Sequence, residues 1–255
     1  MDQDARLGLL LALADDELII GHRHSEWTGW APHIEEDLAF SSIAQDEMAH
    51  ARMLYGLARQ AGLTDQDEDA LALGRAPEEY RNAWLCERPN GDWGFTVARQ
   101  YLYDTADSVR VADLTESSWR ELAEAMEVIQ LEEKYHVDHA VAWFRRLGEG
   151  PSVTARERFA DGLTATIGEA LEVLSLDYVL ARHGPVGEMV PTGSGEIPAE
   201  SADFQVPQAA RRDGLWVHEG GFAGAGGRRG RHSDDFVPLW EEMTALYRAH
   251  PGARW

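Results

Sequence analysis

The chain has 255 residues, 44% of them hydrophobic, which is ordinary for a globular protein and enough for a sizeable core. Its 45 acidic residues against 23 basic ones give a formal net charge of −22, which repels phosphate backbones and excludes a nucleic-acid partner. The single cysteine, Cys86, and the acids that flank the short apolar run 7–13 predict a cytoplasmic protein without a disulfide, a signal peptide or a membrane span.

Apolar periodicity predicts an all-α protein with five long helices in the first two thirds of the chain. These helices cover residues 4–27, 33–61, 94–115, 118–146 and 153–182. A polar linker, 62–77, and a short helix, 78–86, separate the second long helix from the third. Ser117 and Ser118 offer a cap for the fourth helix, and a Gly- and Pro-containing run at 148–151 ends it.

The rest of the chain differs in composition. Residues 183–235 are rich in Gly and Pro and show little apolar periodicity, which predicts a long irregular segment that faces a partner. A last helix is predicted over 236–249. We interpret 1–255 as a single domain with a helical bundle core at 1–182.

The irregular segment carries a cluster of arginines among its glycines. Arg228, Arg229 and Arg231 are candidates for contact with a phosphate group or an acidic partner, because the guanidinium group binds both well. The alternative is a flexible basic loop with no specific ligand. A phosphate-binding P-loop is excluded, because no Gly-Lys-Ser or Gly-Lys-Thr sequence follows the glycines.

Two stretches repeat the same chemistry 86 residues apart. Each has the pattern Glu-x-x-His, Glu47 with His50 and Glu133 with His136. Residues three apart share a helix face, so each pair can reach one ion, and a carboxylate with an imidazole suits iron or manganese. Both pairs interrupt the apolar seam of a long helix and so point into the core, where unpaired acids are costly. A metal is the predicted partner, and a metal-free hydrogen-bonded cluster is the alternative.

A dimetal site in a helical bundle needs one more carboxylate from each of two other helices. Antiparallel neighbours bring residues that are equidistant from their turn to the same level. The turn at 31–32 therefore places Glu17, in the apolar seam of the first helix, opposite Glu47. Glu26 on the same helix is the rival candidate.

The second hairpin gives the last ligand in the same way. Its turn near 117–118 places Asp104, in the seam of the third helix, opposite Glu133. Asp107, one turn further along, is the rival candidate. The predicted ligand set is therefore Glu17, Glu47, His50, Asp104, Glu133 and His136.

Two further acids directly precede the paired glutamates. They are Asp46 and Glu132. Carboxylates near a metal site often accept the second ring N–H of a ligating histidine and fix its orientation. We therefore predict that both acids orient the histidines, although either one is also acceptable as a plain surface charge.

Several stretches outside these motifs resemble one known family. They are Ser-Glu-Trp at 25–27 with Ala-Pro at 31–32, Glu-Arg-Pro-Asn-Gly at 87–91, Ala-Arg-Gln-Tyr at 98–101, Gly-Gly-Arg-Arg-Gly-Arg-His at 226–232, and Pro-Gly-Ala-Arg-Trp at 251–255. Together they resemble, along almost the whole chain, the ferritin-like subunits of phenylacetyl-CoA epoxidase, and among these most closely the C subunits. The resemblance implies a ferritin-like four-helix bundle with additional C-terminal helices.

The resemblance also implies a function within a multicomponent bacterial monooxygenase. That enzyme epoxidises the aromatic ring of phenylacetyl-CoA in phenylacetate breakdown. The implied partners are a catalytic A subunit with a di-iron centre, a reductase that delivers electrons from NADPH, and an acyl-CoA substrate shared with the complex. In such a di-iron site Glu47 and Glu133 would bridge, each histidine would bind one iron, and Glu17 and Asp104 would be terminal ligands.

This chain departs from the C subunits in one respect. They commonly have Leu and Gln where this chain has Glu47 and His50, whereas all six candidate ligands here match the A-subunit pattern. Two roles follow, a metal-free structural C subunit and a C subunit with its own di-iron site. A third possibility is a stand-alone ferritin-like di-iron oxidase or iron-handling protein, against which the family-like tail argues.

Overall fold

The chain folds into a bundle of long helices. The computed structural model describes residues 3–174, 226–251 and 253, and every regular element within them is helical. The α-helices in these ranges are α1 (Gln3–Ser25), α2 (Ile34–Gln60), α3 (Glu68–Leu73), α4 (Trp84–Glu87), α5 (Trp93–Thr115), α6 (Arg120–Gly148), α7 (Val153–Leu174) and α8 (Phe236–Ala249). Short 3-10 turns lie at Pro77–Glu79 and Gly227–Arg229. The prediction of an all-α, ferritin-like bundle is confirmed.

Two helical hairpins build the bundle. Helix α1 packs along α2, α5 packs along α6, and α7 covers the other side of α5. Their apolar seams form two clusters of buried side chains, one around Leu13, Leu54 and Met126 and the other around Val97 and Phe144. The predicted metal ligands lie on the helices between these two apolar clusters, so apolar packing fixes the helices on either side of the polar residues.

The predicted long helices are confirmed, and they differ from the structure mainly at their ends. Helix α1 ends at Ser25 rather than at residue 27, because the N–H of Trp27 donates a hydrogen bond to the carbonyl of His24, three residues back, at 3.1 Å. Helix α6 begins at Arg120 without the predicted cap by Ser118. Ser117 instead accepts a hydrogen bond from the N–H of Trp119 at 3.1 Å.

The linker between α2 and α5 is more ordered than predicted. It contains α3, whose first turn is capped by Asp67, which accepts a hydrogen bond from the Ala70 N–H at 2.8 Å. The predicted helix at 78–86 is wrong, because the non-helical residues 80–83 separate the 3-10 turn at Pro77–Glu79 from α4. Asp15 of α1 accepts a hydrogen bond from the Arg81 N–H, and Asp16 accepts one from the Ala83 N–H, both at 2.7 Å. These bonds hold the stretch in a non-helical path against the bundle.

The C-terminal part is described from residue 226 onward. The helix predicted at 236–249 is confirmed as α8. The predicted end of the fifth helix, 175–182, and the predicted irregular segment up to residue 225 lie outside the described residues. Within the described ranges, no helix combines the length and the apolar character needed to cross a membrane.

Candidate metal centre

The six predicted ligands come from four helices and are all withdrawn from solvent. Glu17 lies on α1, Asp104 lies on α5, and each Glu-x-x-His pair lies on one of the helices α2 and α6. None of the six is more than 2% exposed. This burial agrees with the apolar seams, in which each of these residues takes a core position.

Four of the six converge on one point. One ligand atom from each of Glu17, Glu47, His50 and Glu133 lies within 4.8 Å of the other three. A single ion could therefore contact all four residues. Close packing of α1 on α2 permits this convergence, because Gly21 faces Glu47 and a Cβ atom at Gly21 would lie only 2.9 Å from the Glu47 Cβ atom.

His136 adjoins this group on its other side. Its Nδ1 atom lies 3.1 Å from Glu133 Oε1 and 3.5 Å from Glu47 Oε1. The rings of His50 and His136 are 6.2 Å apart between centroids. The two glutamates thus lie between the two histidines, which is the arrangement needed for carboxylates shared by two ions.

Asp104 is buried at the edge of this cluster and is not part of the four-residue group. Burial raises its pKa well above the usual range, and the charges of Glu133 and Asp107 add to the effect against the opposing influence of His136. Its rival Asp107 is paired with Arg110. The structure therefore leaves Asp104 as the α5 carboxylate that is available to a metal.

The rival of Glu17 is also separated from the cluster. Glu26 is paired with Arg23 at 2.7 Å and accepts a hydrogen bond from Asn90 at 2.9 Å. Glu17 instead approaches His50, with 3.4 Å between Glu17 Oε2 and His50 Nδ1. Of the two acids, Glu17 is therefore the one that lies in the buried group with Glu47, His50 and Glu133.

The acids Asp46 and Glu132 contact the histidines across the bundle. Glu132 of α6 lies 2.7 Å from His50 Nε2 on α2, and Asp46 of α2 lies 3.4 Å from His136 Nε2 on α6. Each histidine therefore turns Nε2 toward a partly exposed acid and Nδ1 toward the buried cluster. Such pairing fixes the tautomer in which Nδ1 is free to bind a metal.

This pairing predicts the result of a substitution. Replacing Glu132 with alanine removes the acceptor of the His50 Nε2–H, and we expect an affinity for Co(II) about 10 to 100 times lower. Equilibrium titration of the visible Co(II) absorption measures it. Glu127→Ala, which changes an exposed acid on the same helix, is the control. An unchanged affinity for Glu132→Ala would show that this carboxylate is only a surface charge.

The cluster is short of hydrogen-bond donors. Both side-chain oxygens of Glu47, both of Asp104 and Oε2 of Glu133 are buried without a hydrogen bond from the described residues. Buried oxygens of this kind call for an ion or a water molecule. These oxygens and two imidazole nitrogens match the donor set that iron and manganese take in proteins. The residues therefore fit a metal site.

The protonation of the acids supports the same interpretation. Burial, reinforced by the negative charges of neighbouring acids, raises the pKa of Glu47 and of Glu133 well above the usual range. Burial would also raise the pKa of Glu17, but the neighbouring Glu47 carboxyl and the His50 ring lower it to about 2. Burial opposes the charged form of His50, yet Glu17 outweighs it and raises the pKa of that ring to about 9. Without a metal, protons bound to Glu47, Glu133 and His50 balance the negative charge of this group. A bound metal would displace these protons.

Glu17 is held in place by two residues that the sequence analysis did not identify. Tyr103 donates a hydrogen bond to Glu17 Oε1 at 3.1 Å, and Arg110 Nη2 donates to the same oxygen at 3.3 Å. Arg110 also pairs with Asp107 and, at 2.6 Å, with Asp16. The acidic run at 15–17 was the available signal, since adjacent acids in a buried helix require cations from elsewhere.

The three arginines of the C-terminal segment have different positions. Arg228 is 3% exposed and pairs with Asp16 at 2.6 Å. This corrects the expectation of an external phosphate or partner contact for Arg228, because its guanidinium group is held inside the chain. Arg229 and Arg231 are exposed and stay candidates for such a contact.

Comparison with known proteins agrees with this fold. The family model described as phenylacetic acid catabolic protein matches residues 1–255. The chain belongs to this family. It is also 30% identical over 253 residues to the C subunit of the 1,2-phenylacetyl-CoA epoxidase of Escherichia coli K12, and the match covers 96% of this chain and 97% of that protein. The predicted resemblance is therefore confirmed.

Proposed function

We propose that this family member is a subunit of a phenylacetyl-CoA-epoxidising monooxygenase and that it carries a di-iron site of its own. The similarity to an epoxidase subunit over nearly the whole chain supports the first part. The buried group of Glu17, Glu47, His50 and Glu133 supports the second. That group is the single observation on which the catalytic interpretation depends.

Within this proposal, the chain's own side chains arrange the site. His50 and His136 would bind the metal through Nδ1, and the carboxylates of Glu47, Glu133, Glu17 and Asp104 would complete the ligand set. Two iron ions held there would supply the activation of O2 for the insertion of one oxygen atom into the substrate. The fold holds these side chains in fixed positions, and its apolar clusters exclude water from the site.

A cleft on the bundle surface lies next to one of the candidate ligands. It lies between α5 and α6, has a volume of about 400 Å³, and is lined mostly by apolar atoms. Glu133 lies in its wall, and Lys134, the only lysine of the chain, lies beside it. The volume falls in the range of small-molecule sites, so the cleft suits O2 or a small apolar group.

The remaining parts of the complex belong to the proposal as well. A catalytic A subunit, a reductase and an acyl-CoA substrate are the partners expected for a C subunit. The rival role is a metal-free scaffold that supports the A subunit. Buried oxygens without hydrogen bonds favour the metal site over the scaffold, because a pure scaffold gains nothing from them.

Metal content of the protein purified alone, after expression with iron, tests the proposal. We expect about two irons per chain together with near-ultraviolet absorption of an oxo-bridged iron pair. Co-purification with a homologous A subunit tests membership of the complex independently. Iron at background level would establish the scaffold role, and iron without any A-subunit partner would establish a stand-alone oxidase or iron-handling protein.

A further inference from the structure

The C-terminal segment reaches the interior of the bundle close to the candidate centre. Arg228 forms a two-pronged ion pair with Asp16, at 2.8 Å from Nη1 to Oδ1 and 2.6 Å from Nη2 to Oδ2. Asp16 directly precedes Glu17 on α1. The same guanidinium group donates to the backbone carbonyls of Ala12, Arg81, Glu172 and Val173. Arg228 therefore joins α1, the 81–83 stretch and the end of α7.

The ion pair continues to a candidate ligand. Asp16 Oδ2 also accepts a hydrogen bond from Arg110 Nη1 at 2.6 Å, and Arg110 Nη2 donates to Glu17 Oε1 at 3.3 Å. Glu17 then presents Oε2 to His50 at 3.4 Å. A continuous series of buried charged contacts thus runs from Arg228 to the candidate ligands Glu17 and His50. Metal binding at one end of this series would therefore stabilise the docked position of Arg228 at the other.

The charge balance shows why Arg228 matters to Glu17. Arg110 and Arg228 are the two cations among three buried acids, namely Asp16, Asp107 and Glu17. Without Arg228, Arg110 would be the only one of these two arginines left, and only Glu17 would keep a second cationic neighbour, His50. We expect this arginine to move toward Asp16 and Asp107 and to release Glu17, because its contact with Glu17 is the longest of its three ion pairs.

Backbone packing holds Arg228 in this position. The N–H of Gly227 donates to Glu172 at 2.9 Å, and a Cβ atom on Gly227 would lie only 2.0 Å from the carbonyl oxygen of Asn82. No side chain fits there without moving the segment. Further along, His232 and Ser233 both bind Glu87, at 2.6 Å from His232 Nδ1 and 2.6 Å from the Ser233 hydroxyl.

We infer that Arg228 is a positioning residue of the metal centre, which holds Glu17 through Asp16 and Arg110 so that docking of residues 226–235 and metal binding stabilise each other. This inference rests on the proposed metal site. It gives the C-terminal segment a role inside the protein, in addition to any role at a partner surface. A protein whose segment is displaced should bind metal weakly, and metal should in turn hold the segment in place.

Co(II) titration and hydrogen exchange of the full chain test the inference. We expect Arg228→Gln to lower the affinity for Co(II) about tenfold or more, the range found for residues that support metal ligands. Gly227→Ala should do the same while leaving every charge intact. Arg231→Gln, the same charge change at an exposed position nearby, should stay within about twofold of the wild type. In the wild type, Co(II) should slow exchange of the amides of 226–235.

The outcomes separate this inference from the proposed function. A wild type that binds no Co(II) would overturn both. A wild type that binds Co(II) without slower exchange at 226–235, or variants that bind as tightly as the wild type, would overturn the inference and leave the metal site standing. If Arg228→Gln fails to fold, Gly227→Ala and the exchange of the wild type decide the question.

Discussion

The protein with Glu47 replaced by alanine is expected to lose its iron and to stay folded. Glu47 is fully buried, and neither of its carboxylate oxygens receives a hydrogen bond from the described residues. It lies close to both histidines, at 3.9 Å from His50 Nδ1 and 3.5 Å from His136 Nδ1. Glu133 alone would then remain between the two histidines, so the removal of Glu47 affects the binding of both ions.

The fold should survive because two effects of this substitution oppose each other. The cavity left by the side chain destabilises the bundle, and removal of a buried carboxyl without a partner stabilises it, each by on the order of 1–3 kcal/mol. Iron per chain should fall from about two to background. Urea unfolding of the metal-free protein should give a free energy close to that of the wild type.

Two further variants make this prediction specific. Glu35→Ala changes an exposed acid on the same helix and should retain full iron content. Glu47→Gln keeps the side-chain volume and should also lose iron, because a neutral amide is a poor bridge between cations. Iron retained in both Glu47 variants would place the metal elsewhere. Loss of folding in both would mean that the carboxylate serves the structure of the bundle.

The burial of the candidate ligands could be predicted because their pattern is local. The Glu-x-x-His spacing needs only one helical turn, and the seam residues on either side show which face is buried. Glu17 required one more step, the register of a hairpin with a short turn. Moving the turn by one residue, from 32 to 31, would have pointed to Asp15, yet the apolar seam and the register agree only on Glu17.

The arginines that support the cluster could not be predicted in this way. Arg110 meets Asp16 across 94 residues of sequence, and Arg228 meets the same acid across 212. Such pairs produce no periodic pattern in the sequence, because they depend on how the two hairpins and the C-terminal segment dock together. Only the excess of adjacent acids at 15–17 indicated that cations must arrive from distant parts of the chain.

Two stretches that carried the family resemblance contact each other in the fold. The 87–91 stretch provides Glu87, which binds His232 and Ser233, and Arg88, which pairs with Asp235 at 3.0 Å. The Gly- and Arg-containing stretch 226–232 provides Arg228. Nothing in the sequence indicated that these two stretches meet. The structure shows that they hold the C-terminal segment against the bundle beside the buried Glu and His side chains of the candidate site.

Replacing Arg110 with methionine is expected to destabilise the bundle strongly. Arg110 is 4% exposed and pairs with Asp16, Asp107 and Glu17. Methionine fills most of the volume but takes the cation away from Asp107, and it leaves Asp16 paired with Arg228 and Glu17 beside His50. Breaking a buried pair by removing one partner costs about 3–5 kcal/mol. We expect a loss of this size in the free energy of unfolding in urea at pH 7.

The pH dependence of this variant identifies the cause. Burial raises the pKa of Asp107 to about 6 even with Arg110 in place to oppose it. Without Arg110 that pKa should rise further, whereas the pKa of Asp107 in the unfolded chain is the same in both proteins and cancels from the comparison. The deficit of Arg110→Met should therefore shrink as the pH falls from the raised pKa to about 6, the folded-state pKa of Asp107 in the wild type. Asp107→Asn, added to Arg110→Met, should recover part of the loss at pH 7, because it removes one of the stranded charges. A deficit independent of pH and unrelieved by Asp107→Asn would mean that Arg110 contributes packing rather than charge.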